Sequence, residues 1–408
     1  MRLVEQHIIK SNHKHYNDLK NLCRLSKNLY NATLYVIRQH YFETNKYLSY
    51  ANIDRIFKET NNIDYRSLPI QTSQQTMRAV DSNFKSFFKL LKMKQNGNYN
   101  KKINITNYLN KEGYYTVTYT AQQLGKKLQS GIIKLPLSDI EFHTNKTNIK
   151  QVRFVPKGAY IIMEVVYDVK EVDLKSDNGN YAGIDLGLNN LATITSNVSN
   201  SYIINGKPVK SINQYYNKKK AQLQSQLKDK RTSKRIQRLT IKRNNKIKDY
   251  FHKATSYIVN QLVSDSINTV VIGHNKDWKQ DINIGKHNNQ SFTSIPHSMF
   301  INMLKYKCRL KGINLICVEE SYTSKASFLD NDPLPALKDG NKSNFSGSRI
   351  SRGLYRDSKG QLINADVNGS YNIIRKEVCD VVLQPADRGF VFNPVKVSFF
   401  RHRNKINY

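Results

Sequence analysis

Acidic residues within and after apolar segments of this sequence could bind metal ions and support phosphodiester hydrolysis. Asp185 lies inside the apolar segment GIDLG, where an unpaired buried carboxylate would be costly and needs a partner or a metal ion. The alternative is a phosphate-binding hairpin of the sugar-kinase and actin kind, which also begins with an aspartate before a glycine-rich turn. No second phosphate loop of that kind follows, so the motif favours a metal-binding carboxylate.

Further acids occur at the end of a later strand and at the start of a helix. Glu319 and Glu320 end the segment INLICVEE, and adjacent strand residues point to opposite faces, so only one of them can share a site with Asp185. Asp366 opens the helical segment NADVNGSYNIIRK, where an acid is more often an N-cap. Together these carboxylates supply oxygen ligands for two Mg²⁺ ions bridged by Asp185, and no catalytic histidine is then required.

The elements that carry these acids predict a ribonuclease-H-like α/β domain over residues 173–384. The segment YAGIDLGLNNLATI predicts a hairpin with Asp185 in its first strand. Three strands followed by alternating helices and strands are typical of such a domain. Further strands are predicted at 202–204, 269–272 and 313–318, and a helix at 297–311.

A basic helical insertion at 207–265 follows the third predicted strand. Its lysines and arginines far outnumber its aspartates, which is typical of a surface that binds phosphates. The alternative is a solvated hairpin, but such a face normally mixes both signs of charge. We expect nucleic-acid backbone contacts from Lys218, Lys219, Lys220, Lys230, Arg231, Lys234, Arg235, Arg238, Lys242, Arg243 and Lys246.

The amino-terminal half predicts two further domains. Apolar residues at helical spacing predict a helical domain over 14–94. Alternating and β-branched segments over 95–172, together with 1–13, predict a β-barrel. The chain is therefore expected to be a multidomain α+β protein, with a C-terminal tail at 385–408.

The composition of the chain excludes several classes of protein. A formal net charge of +34 over 408 residues exceeds what solubility requires and indicates a nucleic-acid partner. Neither a signal peptide nor a stretch approaching the ~20 apolar residues of a membrane span is evident, so we expect a cytoplasmic protein without a membrane partner, nucleoid-associated when bound to DNA. The cysteines form no CxxC pair, so we expect buried thiols, without a disulfide framework or a zinc ribbon. They are Cys23, Cys308, Cys317 and Cys379.

Several segments, in this order, resemble the TnpB (OrfB) family of transposon-encoded RNA-guided nucleases, relatives of the type V CRISPR effectors. They are LSKNLYNATLYVIRQHYF, DYRSLPIQTSQQTMRAVDSNFKSFFK, GIDLGLNNLAT, ESYTSKASFLD and NADVNGSYNI. The resemblance implies an RNA-guided DNA endonuclease that cuts beside a short target-adjacent motif. The β-barrel (wedge) domain and the helical recognition domain would hold the guide RNA and its heteroduplex, and a RuvC domain with Asp185, Glu320 and Asp366 would cut.

The same resemblance implies cofactors and partners. These are two Mg²⁺ ions, with Mn²⁺ as a substitute, a guide RNA from the protein's own locus and double-stranded target DNA. A homodimer is left open by the sequence.

The sequence departs from the family pattern at two places. Most members carry the second catalytic glutamate at the position of Gly273, but a subset, with the eukaryotic Fanzor relatives, places it where this chain has Glu320. Glu320 is therefore the expected ligand, with Glu319 as the fallback. Ser327 replaces the usual first zinc-binding cysteine, so the segment 321–365 is expected to fold without zinc.

Two other functions compete with the endonuclease. A nuclease-dead, RNA-guided DNA-binding repressor would explain Gly273, although the three acids are retained. A transposase acting by direct strand transfer would use a similar fold and metal ions, but it would not need the basic insertion or an RNA-binding amino-terminal half.

Overall fold

The chain divides into two units, Met1–Lys170 and Glu171–Tyr408. Three residues named above, Lys230, Arg231 and Cys379, lie outside the part of the chain that the structure describes. The structure is a computed structural model that describes residues 1–227, 232–275, 285–335, 344–378 and 393–399.

The first unit contains the helices predicted from apolar spacing. Leu19, Leu29 and Leu34 lie on one face of the first helix and are fully buried. Leu19 packs against the sheet of this unit, whereas Leu29 and Leu34 pack among the helices, so the first helix contributes to two hydrophobic cores. The helices are α1 (Tyr16–Thr44), α2 (Tyr50–Glu59), α3 (Ile63–Arg66), α4 (Ile70–Gln95) and α5 (Ala121–Leu124), and a short 3₁₀ helix covers Lys126–Ser130.

The strands of the first unit form two antiparallel sheets. They are β1 (Arg2–Lys10), β2 (Val117–Thr120), β3 (Ile132–Lys134), β4 (Glu141–His143), β5 (Ile149–Pro156) and β6 (Tyr160–Asp168). One sheet has the order β1-β6-β5-β2, and β3 pairs with β4. Residues 1–170 are all described, and no ladder within them joins β1 to β2 or one sheet to the other, so a closed barrel stays a prediction.

The second unit is built on one mixed sheet with the order β11-β10-β7-β8-β9-β15. The first three strands in sequence are antiparallel neighbours, whereas β10 lies parallel to both β7 and β11. The carboxyl ends of β7, β10 and β11 therefore meet at one edge. These strands are β7 (Tyr181–Leu186), β8 (Asn190–Ser196), β9 (Tyr202–Asn205), β10 (Thr269–Gly273), β11 (Asn314–Val318) and β15 (Val395–Val397).

Helices cover both faces of this sheet. Alternate residues of β7, namely Ala182, Ile184 and Leu186, share a hydrophobic core with the helices α7 and α9. Gly183 lies on the opposite face, where a β-carbon would come within 2.2 Å of the Ser370 carbonyl oxygen of α10. Glycine thus allows α10 to approach closely, and the alternation puts Asp185 on the α10 face. The helices are α6 (Lys207–Gln224), α7 (Lys234–Ser264), α8 (Lys286–Thr293), α9 (His297–Arg309) and α10 (Ala365–Glu377).

The structure adds strands where the sequence analysis predicted none. A small antiparallel sheet of β12 (Ser348–Ser351), β13 (Leu354–Arg356) and β14 (Leu362–Asn364) forms within 321–365. Within the predicted C-terminal tail, β15 pairs in parallel with β9 and extends the main sheet. Assigning the whole of 385–408 to a tail was therefore wrong for this strand, which is too short and too exposed to show an apolar pattern.

One cysteine also differs from the prediction. Cys23 and Cys308 are buried free thiols, as expected, but Cys317 is exposed on β11 at the edge of the sheet. Among the described residues, no helix is long and apolar enough to cross a membrane.

Candidate active site

Asp185 stands near the carboxyl end of β7 on the face covered by α10. The residue before it, Ile184, is paired with Ile272 of β10, and Asp185 itself is paired with Thr193 of β8. It therefore lies one residue beyond the last paired position with β10, at the edge where β10 and β11 also end. A carboxylate placed there is surrounded by the ends of the neighbouring strands.

Glu320 reaches this edge from the chain that follows β11, and Gly273 leaves the space that it occupies. A β-carbon added at Gly273 would lie 2.6 Å from both Cγ and Oε1 of Glu320 and 2.7 Å from Cδ1 of Ile373. These distances are shorter than carbon and oxygen atoms tolerate, so any side chain at position 273 would displace the Glu320 carboxylate. The Glu320 carboxylate can therefore take this position only because residue 273 is a glycine.

The backbone of Glu320 is held on both sides. Its N–H donates to Asn275 Oδ1 at 2.8 Å, and its carbonyl oxygen accepts from the N–H and hydroxyl of Thr323 at 3.2 Å and 2.9 Å. Its side-chain Oε1 is buried and has no hydrogen-bond partner among the described residues. A buried carboxylate oxygen left in this way needs a proton or a cation.

Glu319 has a different environment from its neighbour. Its side chain is 46% exposed, and its Oε2 lies 3.5 Å from Nζ of Lys376 in α10. The two glutamates thus diverge, as expected for adjacent residues at a strand end. Of the two glutamates, it is the Glu320 side chain that lies against Gly273.

Asp366 lies in the first turn of α10 but does not cap it. Asn364 is the N-cap, and its Oδ1 accepts from the N–H groups of Asp366 and Val367 at 3.0 Å and 3.2 Å. The Asp366 carboxylate instead accepts from Asn190 Nδ2 at 2.6 Å and lies 3.4 Å from the Arg349 guanidinium. The N-cap role that an acid often has at the start of a helix is therefore filled by Asn364.

Two of the acids at this edge act electrostatically on the third. Desolvation by the surrounding protein, followed by the negative charges of Glu320 and Asp366, raises the pKa of Asp185 well above its ordinary range, while Arg349 opposes this shift. Desolvation and then Glu319 raise the pKa of Glu320 to about 7. Both shifts mean that folding disfavours the ionised form of these two carboxyl groups.

Carboxylate oxygens are the ligands that hard cations such as Mg²⁺ prefer. Such a cation would also give the buried Glu320 Oε1 the partner that it lacks among the described residues. Within the described residues, no group of three or more His, Cys, Asp or Glu side chains is arranged to hold a metal ion by itself. Mg²⁺ usually takes one or two carboxylates together with waters and substrate phosphates, so a closed protein cage is not required.

The basic insertion forms a second candidate site, a groove between α6 and α7 that we call the basic groove. Four of its lining side chains are cations predicted from the sequence, and Tyr215 beside them is 61% exposed. An aromatic ring among cations suits a nucleic-acid strand, whose bases stack and whose phosphates are anionic. The groove is lined by Tyr215, Lys219, Gln222, Leu223, Gln226, Arg235, Arg238, Leu239 and Lys242.

The remaining predicted cations are distributed differently. Lys218, Lys234 and Lys246 are exposed outside the groove lining, whereas Lys220 is partly buried near the Tyr216 ring. Arg243 is partly buried and donates hydrogen bonds to Asn213 Oδ1 and the Ser294 carbonyl oxygen. Its guanidinium thus links α7 to α6 and to the end of α8, which leaves less of it available to a phosphate.

Sequence reasoning missed several residues of these sites. Asn190 and Arg349 reach Asp366 from 176 and 17 positions away along the chain, and no motif marks either contact. Tyr215 could have been noticed as an aromatic beside lysines, but its neighbour Tyr216 turns inward and hydrogen-bonds Thr240. The helical period alone does not say which of the two is exposed.

Two segments of this chain match known protein families. Residues 164–279 match the family described as "Probable transposase", and residues 297–373 match "Cas12f1-like, TNB domain". "TnpB-like protein ORF457" of Acidianus two-tailed virus is 21% identical over 440 residues, covering 95% of this chain and 88% of that protein.

Two solved structures also resemble the chain at low identity. The Cas12f1-sgRNA-target DNA complex has a TM-score of 0.36 at 14% identity, covering 91% of this chain and 98% of that one. The mini-RNA-guided endonuclease CRISPR-Cas_phi3 has a TM-score of 0.47 at 9% identity, covering 94% and 93%.

The fold and the segment matches together define a multidomain α+β protein in which a transposase-type segment precedes a Cas12f1-like segment. These matches confirm the resemblance of the chain's motifs to the TnpB (OrfB) family.

Neutralising Glu320 should change how stability depends on pH. Its pKa is about 7 in the folded protein against an ordinary 4.5, so its contribution to stability is present below pH 4.5 and is lost as the pH rises through 7. In the presence of chelator, Glu320→Gln should raise the melting temperature by several degrees at pH 8 and leave it unchanged at pH 4.5. Glu319→Gln serves as the control and should give no gain at pH 8. Parallel pH profiles for wild type and Glu320→Gln would contradict the assignment.

Proposed function

We propose that the protein is an RNA-guided DNA endonuclease of a transposable element, with Asp185, Glu320 and Asp366 as its catalytic carboxylates. The observation that carries the proposal is the buried Glu320 Oε1, which has no partner among the described residues and lies at the sheet edge where the charges of Glu320 and Asp366 also act on Asp185. Carboxylates held together at such a cost are typical of sites that bind cations. The RNA guide and the DNA target are proposed from the resemblance to the TnpB family.

The proposed domain organisation is that of a TnpB-like RNA-guided endonuclease. Residues 1–13 and 95–172 form the wedge domain and 14–94 the recognition domain, which hold the guide RNA and its heteroduplex. Residues 173–384, together with β15 of the same sheet, form the RuvC nuclease domain, and the ribonuclease-H-like assignment is supported by its three antiparallel strands followed by two parallel ones. The family's zinc-ribbon position is filled by the small sheet β12–β14.

Two Mg²⁺ ions, or Mn²⁺ in their place, would be held by Asp185, Glu320 and Asp366. When bound, such ions supply a nucleophile from water at neutral pH and stabilise the charge that develops on the leaving 3′ oxygen.

The chain's own contribution is to orient these ligands. Asn190 fixes the Asp366 carboxylate, while Asn275 and Thr323 fix the backbone that presents Glu320. Positions fixed in this way reduce the reorganisation needed when the phosphate arrives.

The proposal is tested by loading the protein with RNA from its own locus and adding matched target DNA with randomised flanks and Mg²⁺. Wild type should cut beside a defined flanking motif. Asp185→Ala and Asp366→Ala should abolish cutting but retain guided binding within about twofold, because each removes an ion ligand without altering the contacts with RNA. Full cleavage by Asp185→Ala would refute the site, and a wild-type protein that binds the target without cutting would identify a guided repressor.

We further propose that the basic groove binds the nucleic-acid backbone. Arg235→Glu with Arg238→Glu should weaken RNA binding and reduce the slope of log affinity against log salt by about 1 to 2, since each lost phosphate contact lowers that slope by roughly 0.7 to 0.9. The control is Lys311→Glu with Lys359→Glu, which makes the same charge change at exposed positions elsewhere in the unit. Equal slopes for the two double variants, measured by salt titration, would instead indicate a solvated hairpin.

A further inference from the structure

Two lysines hydrogen-bond the asparagines at the turn between β7 and β8, next to the acidic edge, and a third lysine lies near them. Nζ of Lys210 donates to Asn189 Oδ1 at 3.1 Å, and Nζ of Lys396 donates to Asn190 Oδ1 at 3.0 Å. Lys207 is close enough to Lys396 for their positive charges to repel. The three lysines come from α6 and β15, which are far apart in sequence, so the fold assembles the cluster.

These cations are not neutralised by ion pairs within the described ranges. None of the three forms an ion pair there, and burial together with the charge of Lys207 lowers the pKa of Lys396 despite the opposing charge of Asp366. Gathering like charges costs folding free energy, whereas a surface lysine without a role would be free to turn into solvent. The arrangement therefore suits an anion from outside the chain.

One amide side chain connects this cluster to the proposed catalytic site. Asn190 accepts from Lys396 through Oδ1 and donates to Asp366 Oδ2 through Nδ2 at 2.6 Å. Both hydrogen-bonding ends of the amide are thus used, one on the cation and one on the carboxylate. An anion at the lysines would lie beside the reacting phosphate but would not compete for the same ligands.

The C-terminal segment contributes to this arrangement through β15. Its register with β9, in which Lys396 is paired with Ile203, fixes the position of the lysine backbone. Val397 and Phe399 on either side of Ser398 pack against the hydrophobic core of the unit, and Phe399 contacts the rings of Tyr250 and Tyr257. The residues that directly follow Lys396 are thus anchored in the core of the unit.

We infer that Lys207, Lys210 and Lys396 form a phosphate-binding subsite for the DNA strand being cut, holding a backbone phosphate next to the scissile one. This inference rests on the proposed endonuclease function. Lysine is suited to the role because its ammonium is a compact charge that contacts a phosphate without demanding a fixed geometry. The C-terminal segment is then part of the substrate site.

The first test measures binding and does not need cleavage. In the Asp185→Ala background, the guide-loaded protein is titrated with a fluorescent short oligothymidylate at several salt concentrations. Adding Lys207→Gln and Lys396→Gln should weaken affinity about tenfold and reduce the salt slope by about 1 to 2. The control pair Lys311→Gln and Lys359→Gln should change neither quantity beyond a small general effect. Affinity unchanged by the first pair, or lowered equally by both pairs, would overturn the inference.

The second test locates the phosphate during cleavage of a pre-opened target. In wild type, a neutral methylphosphonate placed next to the scissile phosphate should lower kcat/KM about tenfold, as should the Lys207→Gln and Lys396→Gln pair. Combined, the two changes should cost little more than either alone, because both remove the same contact. Fully additive losses at every methylphosphonate position would overturn the subsite. If wild type does not cut at all, the endonuclease proposal fails, while the oligothymidylate result still decides whether the lysines bind phosphate.

Discussion

The second unit depends on one costly interaction, the gathering of negative carboxylates where water is largely excluded. Desolvation and the charges of Glu320 and Asp366 disfavour ionisation of Asp185, and Glu320 itself keeps a buried oxygen without a partner in the part of the chain that the structure describes. Such an arrangement stays destabilising until protons or cations compensate it. The surrounding residues moderate the repulsion rather than remove it, since Asn190 and Arg349 engage Asp366 but leave the other two acids facing each other's charge.

Several features of the fold bring these three acids to the same sheet edge. Parallel strands β7, β10 and β11 end at a common edge, and Gly183 lets α10 approach closely enough for Asp366 to join it. Asn364 caps α10, which frees the Asp366 carboxylate, and the absence of a side chain at Gly273 makes room for Glu320. Around this small negative site the chain is strongly positive, with a formal net charge of +34. A negative centre within a basic surface suits a polyanion that is held by its backbone and cut at one point.

Sequence reasoning succeeded where one local pattern decides the structure. The buried leucines of α1 predict a helix, and the apolar run around Asp185 predicts β7, because burial and period agree over many residues. It missed β12 and β15, which are short and mostly exposed. It also expected Cys317 to be buried, whereas this residue is exposed on β11 at the edge of the sheet. The acids themselves could be named, but Asn190, Arg349 and Lys396 could not, since their contacts depend on residues far apart in sequence.

The central claim is that the ligand missing at position 273 is supplied by Glu320, and one comparison tests it most directly. Guide-loaded wild type, Glu320→Ala and Glu319→Ala are given the same matched target and Mg²⁺, and cleavage and target retention are measured side by side. Glu320→Ala should abolish cleavage while retaining the target, and Glu319→Ala should cut at close to the wild-type rate because its side chain is exposed and paired with Lys376. Cleavage that survives in Glu320→Ala, or that is lost only in Glu319→Ala, would contradict the account.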